Sequence, residues 1–172
     1  MFWFLEFLLT LFLLLLIFQD FKTREVSVWL LIGVFLCNTV IFLTSNDLKE
    51  VFHFFYINVL FLLFLLFTLT IYISIKEKKL VIITHNYLGW GDIIFIFTLT
   101  LCFSTVNFIA YLVFSFLFTL VAYTVLKVIK PNIKKEVPLA GFLAITLILL
   151  YIYKWINPCS PFYNEYWLTY LL

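Results

Sequence analysis

The stretch FWFLEFLLTLFLLLLIF, residues 2–18, is apolar except for a charge at Glu6 and a hydroxyl at Thr10. A helix needs about 20 predominantly apolar residues to cross a bilayer, and runs near that length recur along the 172-residue chain. The chain is 66% hydrophobic and 12% charged, and a soluble domain of this size could not bury so much apolar surface. The sequence therefore predicts an all-α, multi-spanning membrane protein.

Six candidate spans cover the chain, which we interpret as a single membrane-embedded domain over residues 1–172. The predicted spans are residues 2–18, 26–44, 51–75, 92–106, 108–129 and 137–156. The first span lacks the basic amino-terminal region and the small-residue cleavage site of a signal peptide. The final stretch, residues 157–172, is too short and too polar at its start for a seventh span. We interpret it as an interfacial segment on the outer side.

The basic residues are distributed unevenly among the predicted loops. Nine of the 11 Lys and Arg residues follow the first, third and fifth spans, whereas Lys49 and Lys154 lie on the opposite side. Because loops rich in Lys and Arg are retained in the cytoplasm, we expect both termini to lie outside. No basic patch with interleaved aromatic residues indicates a nucleic-acid partner, so the bilayer is the expected surroundings of the chain.

Two of the three aspartates lie at span ends on the predicted cytoplasmic side. Asp20 ends the first span and Asp92 begins the fourth, whereas Asp47 lies in an outer loop. Ionisable groups at a membrane edge are costly unless they are paired, and they are candidates for function. The alternative is two unrelated interfacial residues, with Asp20 facing Arg24 one helical turn on. The physical argument alone leaves both interpretations open.

Three short segments at span ends form a recognisable pattern. They are QDFKTREVSVW (residues 19–29), LGWGD (residues 88–92) and VPLAGFLA (residues 137–144). Their order and positions resemble the signature segments of the type IV prepilin peptidase family. These proteins are membrane aspartyl proteases with a Gly-x-Gly-Asp motif, and they include the archaeal preflagellin peptidases. The resemblance extends over the whole chain as a peptidase module.

The resemblance implies roles for particular residues. Asp20 and Asp92 correspond to the catalytic pair, and Gly89 and Gly91 to the active-site loop. The residues implied to contact substrate or to shape the site are Lys22, Arg24, Pro138 and Gly141. We therefore expect an aspartic endopeptidase of the cell (inner) membrane that removes the short leader of a prepilin-like precursor at the cytoplasmic edge, without a metal or other cofactor.

The cysteines do not suggest a metal site. Cys37, Cys102 and Cys159 are widely separated and lack metal-ligand spacing. Larger bifunctional members of the family carry two Cys-x-x-Cys pairs and an N-methyltransferase activity. We expect this chain to have neither a zinc-binding nor a methyltransferase region, and we interpret the first two cysteines as packing residues.

Peptide hydrolysis by two carboxyl groups requires one to be ionised and the other protonated at the same time. Close juxtaposition provides this, because two carboxylates about 3 Å apart cannot both ionise. The ionised group takes a proton from water while the neutral one donates to the carbonyl oxygen. The sequence does not assign which aspartate is the base and which the acid, because a coupled pair titrates as a unit.

The two glycines before the second aspartate have two interpretations. We expect Gly89 and Gly91 to adopt backbone conformations closed to other residues, and to leave room for Asp20 or for a substrate strand. A simple turn from loop to helix is the alternative.

Other classes of function remain as alternatives. A small carrier would need ionisable groups near the middle of the bilayer or broken helices there, and the charges of this chain lie at span ends. A catalytically inactive homologue, acting as a structural or assembly factor in a pilus or secretion system, would keep the spans and part of the motifs. The natural substrate and the oligomeric state stay open.

Overall fold

The computed structural model describes residues 2–80, 83, 87–129, 137–156 and 162, and the regular structure in this part of the chain is helical. The helices are α1 (Phe2–Thr23), α2 (Val28–Ser45), α3 (Leu48–Glu77), α4 (Trp90–Leu99), α5 (Thr105–Ile129) and α6 (Leu139–Ile156). Four of them, α1, α3, α5 and α6, are long and apolar enough to cross a membrane, and α2 and α4 are shorter apolar helices. The prediction of an all-α polytopic membrane protein is confirmed.

The helix bounds differ most from the predicted spans at the ends of α1 and α4. α1 continues to Thr23, past the predicted end at residue 18, because polar residues at the end of an apolar run do not stop a helix. α4 contains 10 residues and ends at Leu99, whereas the predicted span runs from 92 to 106. Ten residues of helix rise about 15 Å, which is half of the roughly 30 Å hydrocarbon core of a bilayer.

The turn after α4 is buried, and a side chain from α3 satisfies part of its backbone. Asn58 Nδ2 donates to the carbonyl oxygen of Thr100 at 3.0 Å and to that of Phe103 at 2.9 Å. Non-helical backbone at membrane depth is tolerated only where protein groups or water satisfy it. Asn58 thereby allows the chain to turn between α4 and α5 inside the bundle.

One cluster of aromatic rings marks one end of the bundle. The Phe162 ring packs against the rings of Phe42, Phe103 and Tyr151, with centroids 5.6, 5.1 and 5.0 Å away. These rings come from the end of α2, the turn after α4 and the last third of α6. The end of α1 and the starts of α4 and α6 meet at the opposite end, so successive helices alternate in direction.

α1 and α6 pack antiparallel along an extensive contact, and hydrogen bonds join the two helices at both ends of it. At the aromatic end, the Glu6 carboxylate accepts from Lys154 Nζ at 2.6 Å and from Trp155 Nε1 at 2.8 Å. At the other end, Asp20 of α1 accepts from the backbone of Gly141 in α6. Both helices rise about 20 Å between these two contacts, at 1.5 Å per residue. The matching lengths hold α1 and α6 in one axial register.

We predict that loss of the Glu6–Lys154 ion pair destabilises the bundle. Glu6→Gln keeps an acceptor for Trp155 but leaves the lysine ammonium without a counter-charge. Breaking a buried pair costs about 3–5 kcal/mol, and we expect the low end because the Lys154 side chain is 27% exposed. Thermal unfolding in detergent should show a lower midpoint for Glu6→Gln and for Lys154→Met. The double variant should lose less than the two single losses together, and strictly additive losses would contradict the coupling.

Candidate active site

Asp20 lies in the last turn of α1 and is buried against the start of α6. Its exposed fraction is 4%, and its Oδ2 accepts a hydrogen bond from the backbone N–H of Gly141 at 2.6 Å. The helix ends one turn later, where the N–H of Arg24 donates to the Asp20 carbonyl oxygen at 3.1 Å. The backbone of α1 and the hydrogen bond to α6 therefore fix the direction of the Asp20 side chain.

Asp92 lies in the first turn of α4. Gly89 is the N-cap of this helix, and its carbonyl oxygen accepts from the N–H of Ile93 at 3.2 Å. The Asp92 Oδ1 atom accepts from the N–H of Ala140 at 2.8 Å. A backbone hydrogen bond from Gly89 also reaches the same carboxylate. The position suits an acidic side chain, because the positive end of a helix dipole favours negative charge.

The two carboxylates therefore bind consecutive peptide N–H groups of one helix. Ala140 donates to Asp92 and Gly141 donates to Asp20, and consecutive Cα atoms are about 3.8 Å apart. The side chains are close enough for their charges to interact directly. Among the described residues no donor is bonded to Asp20 Oδ1. One oxygen of this carboxylate thus remains available to a water or a peptide group.

The first turn of α6 supplies the N–H groups that the two carboxylates bind. Its first backbone hydrogen bond runs from the N–H of Phe142 to the carbonyl oxygen of Pro138 at 3.1 Å. The N–H groups of the first helical turn have no partner within their own helix, and proline has no side-chain acceptor that could cap them. Asp20 and Asp92, from two other helices, provide the cap that Pro138 cannot. The predicted site residue Pro138 is buried at this point.

Three of the four glycines make room within this site. A Cβ atom added to Gly141 would lie 2.8 Å from the Phe21 ring and 3.0 Å from Asp20 Oδ2. A Cβ on Gly91 would lie 3.2 Å from Val26, and one on Gly89 would lie 3.2 Å from Asp92 Oδ2. The close approach of Asp20 to α6 therefore requires a glycine at position 141.

The expectation that Gly89 and Gly91 adopt backbone conformations closed to other residues is wrong. All four glycines lie in the described part of the chain, and none has a positive φ. Gly89 has φ −67° and ψ 144°, which any residue can adopt. Gly91 makes room for Val26 of the loop between α1 and α2, and Gly89 for the side chain of Asp92 itself. It is Gly141 that makes room for Asp20.

The two basic residues after Asp20 lie in different surroundings. Lys22 is exposed, and its ammonium lies 5.4 Å from the centroid of the Phe18 ring on the outer surface of α1. Arg24 has a left-handed backbone with φ 66°, and its charge acts on the Asp20 carboxylate. Of these two charges, that of Arg24 lies near enough to act on Asp20, whereas Lys22 lies on the exposed side of α1.

Sequence reasoning missed the side chain that fixes the loop between α1 and α2. Gln19 Oε1 accepts from the Ser27 N–H at 3.1 Å, and Gln19 Nε2 donates to Ser27 Oγ at 2.6 Å. These bonds fix residues 24–27 where Val26 meets Gly91. The amide of Ala140 was also missed, because no side-chain pattern marks a backbone donor.

The remaining candidate ligands do not assemble into a metal site. Among the described residues no group of three or more His, Cys, Asp or Glu side chains is placed to hold a metal ion. Cys37 and Cys102 are free and buried in the bundle, where they pack as expected. Cys159 lies outside the described residues.

A family model matches most of the chain. The model of the type IV leader peptidase family matches residues 7–128. The match includes both aspartates, Gly89 and Gly91, and it ends before α6. No curated protein matched the chain, and no solved structure matched it.

We predict that Gly141→Ala destabilises the protein, although alanine normally favours a helix over glycine by about 1 kcal/mol. The added methyl group must displace the Phe21 ring and the Asp20 carboxylate, and overpacking of this kind costs about 1–3 kcal/mol. Denaturant or thermal unfolding in detergent measures the loss. In a Phe21→Ala background the nearest obstacle is gone, so Gly141→Ala should cost less by about 1 kcal/mol or more. Equal costs in both backgrounds would contradict the crowding.

Proposed function

The chain belongs to the type IV leader peptidase family, and we propose that it is a membrane aspartic endopeptidase in which Asp20 and Asp92 hydrolyse one peptide bond of a prepilin-like precursor. The family match supports a leader peptidase-like enzyme. The observation that supports the two-aspartate mechanism is that carboxylates from α1 and α4 accept hydrogen bonds from consecutive amides of α6. Unrelated interfacial residues have no reason to converge on one pair of donors.

In the proposed mechanism the pair shares one proton. Two adjacent carboxylates cannot both ionise, so one is ionised while the other is protonated. The ionised group takes a proton from a water whose oxygen attacks the carbonyl carbon, and the neutral group donates its proton to the carbonyl oxygen. When the tetrahedral intermediate collapses, the C–N bond breaks and a proton passes to the leaving nitrogen.

α6 contributes fixed dipoles to this chemistry. The N–H groups of Ala140 and Gly141 each bind one oxygen, so the pair is oriented before substrate arrives. The positive end of the α6 dipole stabilises the one net negative charge that the pair carries. Preorganised donors of this kind need no rearrangement during the reaction. In this proposal the backbone of Gly141 is part of the active site.

The substrate class follows from the position of the pair and from the family. Asp20 lies one turn from the end of α1, and a scissile bond at that depth must be extended, because a helix hides its carbonyl groups in internal hydrogen bonds. A prepilin-like precursor has a short basic leader followed by an apolar helix. Its leader would lie at the inner surface, where lipid head groups are often anionic, while its helix lies in the bilayer.

We predict that Asp20→Asn and Asp92→Asn each lower leader cleavage by at least about 100-fold, because an amide can neither accept nor supply the proton. Asp47→Asn is the matched control. Asp47 caps α3 and accepts from the Lys49 N–H, a role that asparagine fills equally well. Mass spectrometry of a co-expressed prepilin reports the cleavage, and thermal unfolding reports the fold. Full activity of either site variant would refute the aspartic mechanism, and no cleavage of matched precursors by the wild type would favour an inactive homologue.

We also propose that the carboxylate pair faces the cytoplasm, with both termini outside. The end of the bundle that holds Asp20 also holds Lys22, Arg24, Lys76, Lys78 and Lys127, whereas Lys49 and Lys154 lie at the aromatic end. An excess of basic residues marks cytoplasmic loops.

A single cysteine at position 78, in a cysteine-free background, should react with an impermeant thiol reagent only after lysis. A cysteine at position 49, on the opposite side, should react in intact cells. Both wild-type side chains are exposed in the structure, so access to the reagent depends on the side of the membrane. The reverse labelling pattern would place the site outside the cell.

A further inference from the structure

Arg24 has an unfavourable backbone conformation beside the carboxylate pair. It ends α1 with φ 66°, in the left-handed region, and its N–H donates to the Asp20 carbonyl oxygen at 3.1 Å. Glycine is the usual residue where a helix ends in this conformation, because a side chain there is strained. A strained residue at the edge of a site is a reason to ask what its side chain does.

The Arg24 guanidinium is also incompletely bonded. Its Nε and Nη1 atoms are buried and have no hydrogen-bond partner among the residues that the structure describes. Its charge acts on Asp20, yet the ion pair found among the described residues is that of Glu6 with Lys154, not one between Arg24 and Asp20. Buried charged donors without acceptors are costly. The strain and the unmet donors occur in the same residue, next to the site.

Contacts on both sides of Arg24 in the chain hold its loop in place. The Gln19–Ser27 hydrogen bonds fix the loop from one side, and Val26 packs on Gly91, the residue before Asp92, from the other. The N–H groups of Nε and Nη1 point to different sides of the planar guanidinium, so they suit two separate oxygen acceptors. These two donors, buried and without an acceptor beside Asp20, are prepared for a group that arrives with the substrate.

We propose that Arg24 is a substrate-binding residue whose Nε and Nη1 donate hydrogen bonds to oxygen acceptors of the bound peptide beside the scissile bond. The inference rests on the proposed peptidase function. The acceptors are backbone carbonyl oxygens or a side-chain carboxylate of the substrate. Arginine is suited to either because its planar, always charged guanidinium presents its donors in fixed directions.

The test uses two glycine variants that relieve the same backbone strain. Lys78 has the left-handed conformation too, with φ 53° at the end of α3, but its side chain is exposed. Arg24→Gly and Lys78→Gly should therefore both raise the unfolding midpoint in detergent. Only Arg24→Gly should lower kcat/KM for leader cleavage, by about 10- to 100-fold, since charge-assisted hydrogen bonds are lost. The loss should fall mainly on KM, as for a group that binds substrate and transition state alike.

Arg24→Lys separates charge from hydrogen-bond geometry. It keeps a positive charge near Asp20 but loses the fixed directions of the guanidinium donors, so we expect its KM to lie between those of wild type and Arg24→Gly. A loss in kcat with unchanged KM in Arg24→Gly would overturn the proposal, because it would indicate an effect on Asp20 alone. Arg24→Gly cleaving within about twofold of Lys78→Gly would overturn it as well. Cleavage by Asp92→Asn would instead refute the proposed function.

A series of precursors identifies the acceptor. Each acidic residue within a few positions of the junction is replaced by its amide, one at a time. If Arg24 binds a carboxylate, one replacement should raise the KM of the wild type and leave that of Arg24→Gly unchanged. If it binds backbone carbonyl oxygens, Arg24→Gly should raise KM by a similar factor for every precursor. Both results support binding by Arg24 and assign its acceptor.

Discussion

The hydrogen bonds from the amides of Ala140 and Gly141 to two carboxylates connect three helices at one point. α1 brings Asp20, α4 brings Asp92, and α6 brings the donors. A second contact fixes the position of each helix. Glu6 of α1 forms an ion pair with Lys154 of α6, and the loop between α1 and α2 packs on Gly91 of α4. Because the first amides of a helix lack partners of their own, the same bonds complete α6 and orient the pair.

The same hydrogen bonds offset the solvation free energy that acidic groups lose at the edge of a bilayer. A carboxylate that leaves water must recover its lost solvation from fixed donors. Backbone amides at a helix start supply such donors with a favourable dipole, and they do so without a neutralising cation in contact. A closely bound lysine or arginine would hold one aspartate permanently ionised, whereas neutral donors leave a single proton free to be shared.

Much of this structure could be predicted from the sequence, and the failures have physical causes. The apolar runs predicted the helices because backbone polar groups must be satisfied internally in lipid. The end of α4 could not be predicted, since the turn that follows contains the apolar Leu101, Cys102 and Phe103. What makes that turn possible is Asn58, a residue from another helix. Hydropathy along the chain carries no information about such a partner.

The candidate site, like the fold, could be predicted from the sequence only in part. The two aspartates and three of the four glycines could be found from their motifs, because the chemistry requires particular side chains. Their surroundings could not, because a backbone amide has no side-chain signature. The unusual φ angles expected at Gly89 and Gly91 are absent, and the space at these two glycines receives Val26 and the Asp92 side chain, whereas the space for Asp20 is at Gly141. A one-letter code records that a residue is small, and only the fold shows what approaches it.

The absence of an ion pair between Arg24 and Asp20 in the described part of the chain is consistent with the proposed chemistry. The other buried side-chain atoms without a hydrogen-bond partner in the described part of the chain are neutral; they belong to Asn38, Asn58 and Thr105. A direct ion pair would satisfy the guanidinium, and it would also occupy the oxygen of Asp20 that no described residue binds. That oxygen is where water must approach if the pair is to act on a peptide. The separation that leaves Nε and Nη1 of Arg24 without an acceptor also leaves Oδ1 of Asp20 without a donor among the described residues, and a peptide bound as proposed would satisfy the arginine without occupying that oxygen.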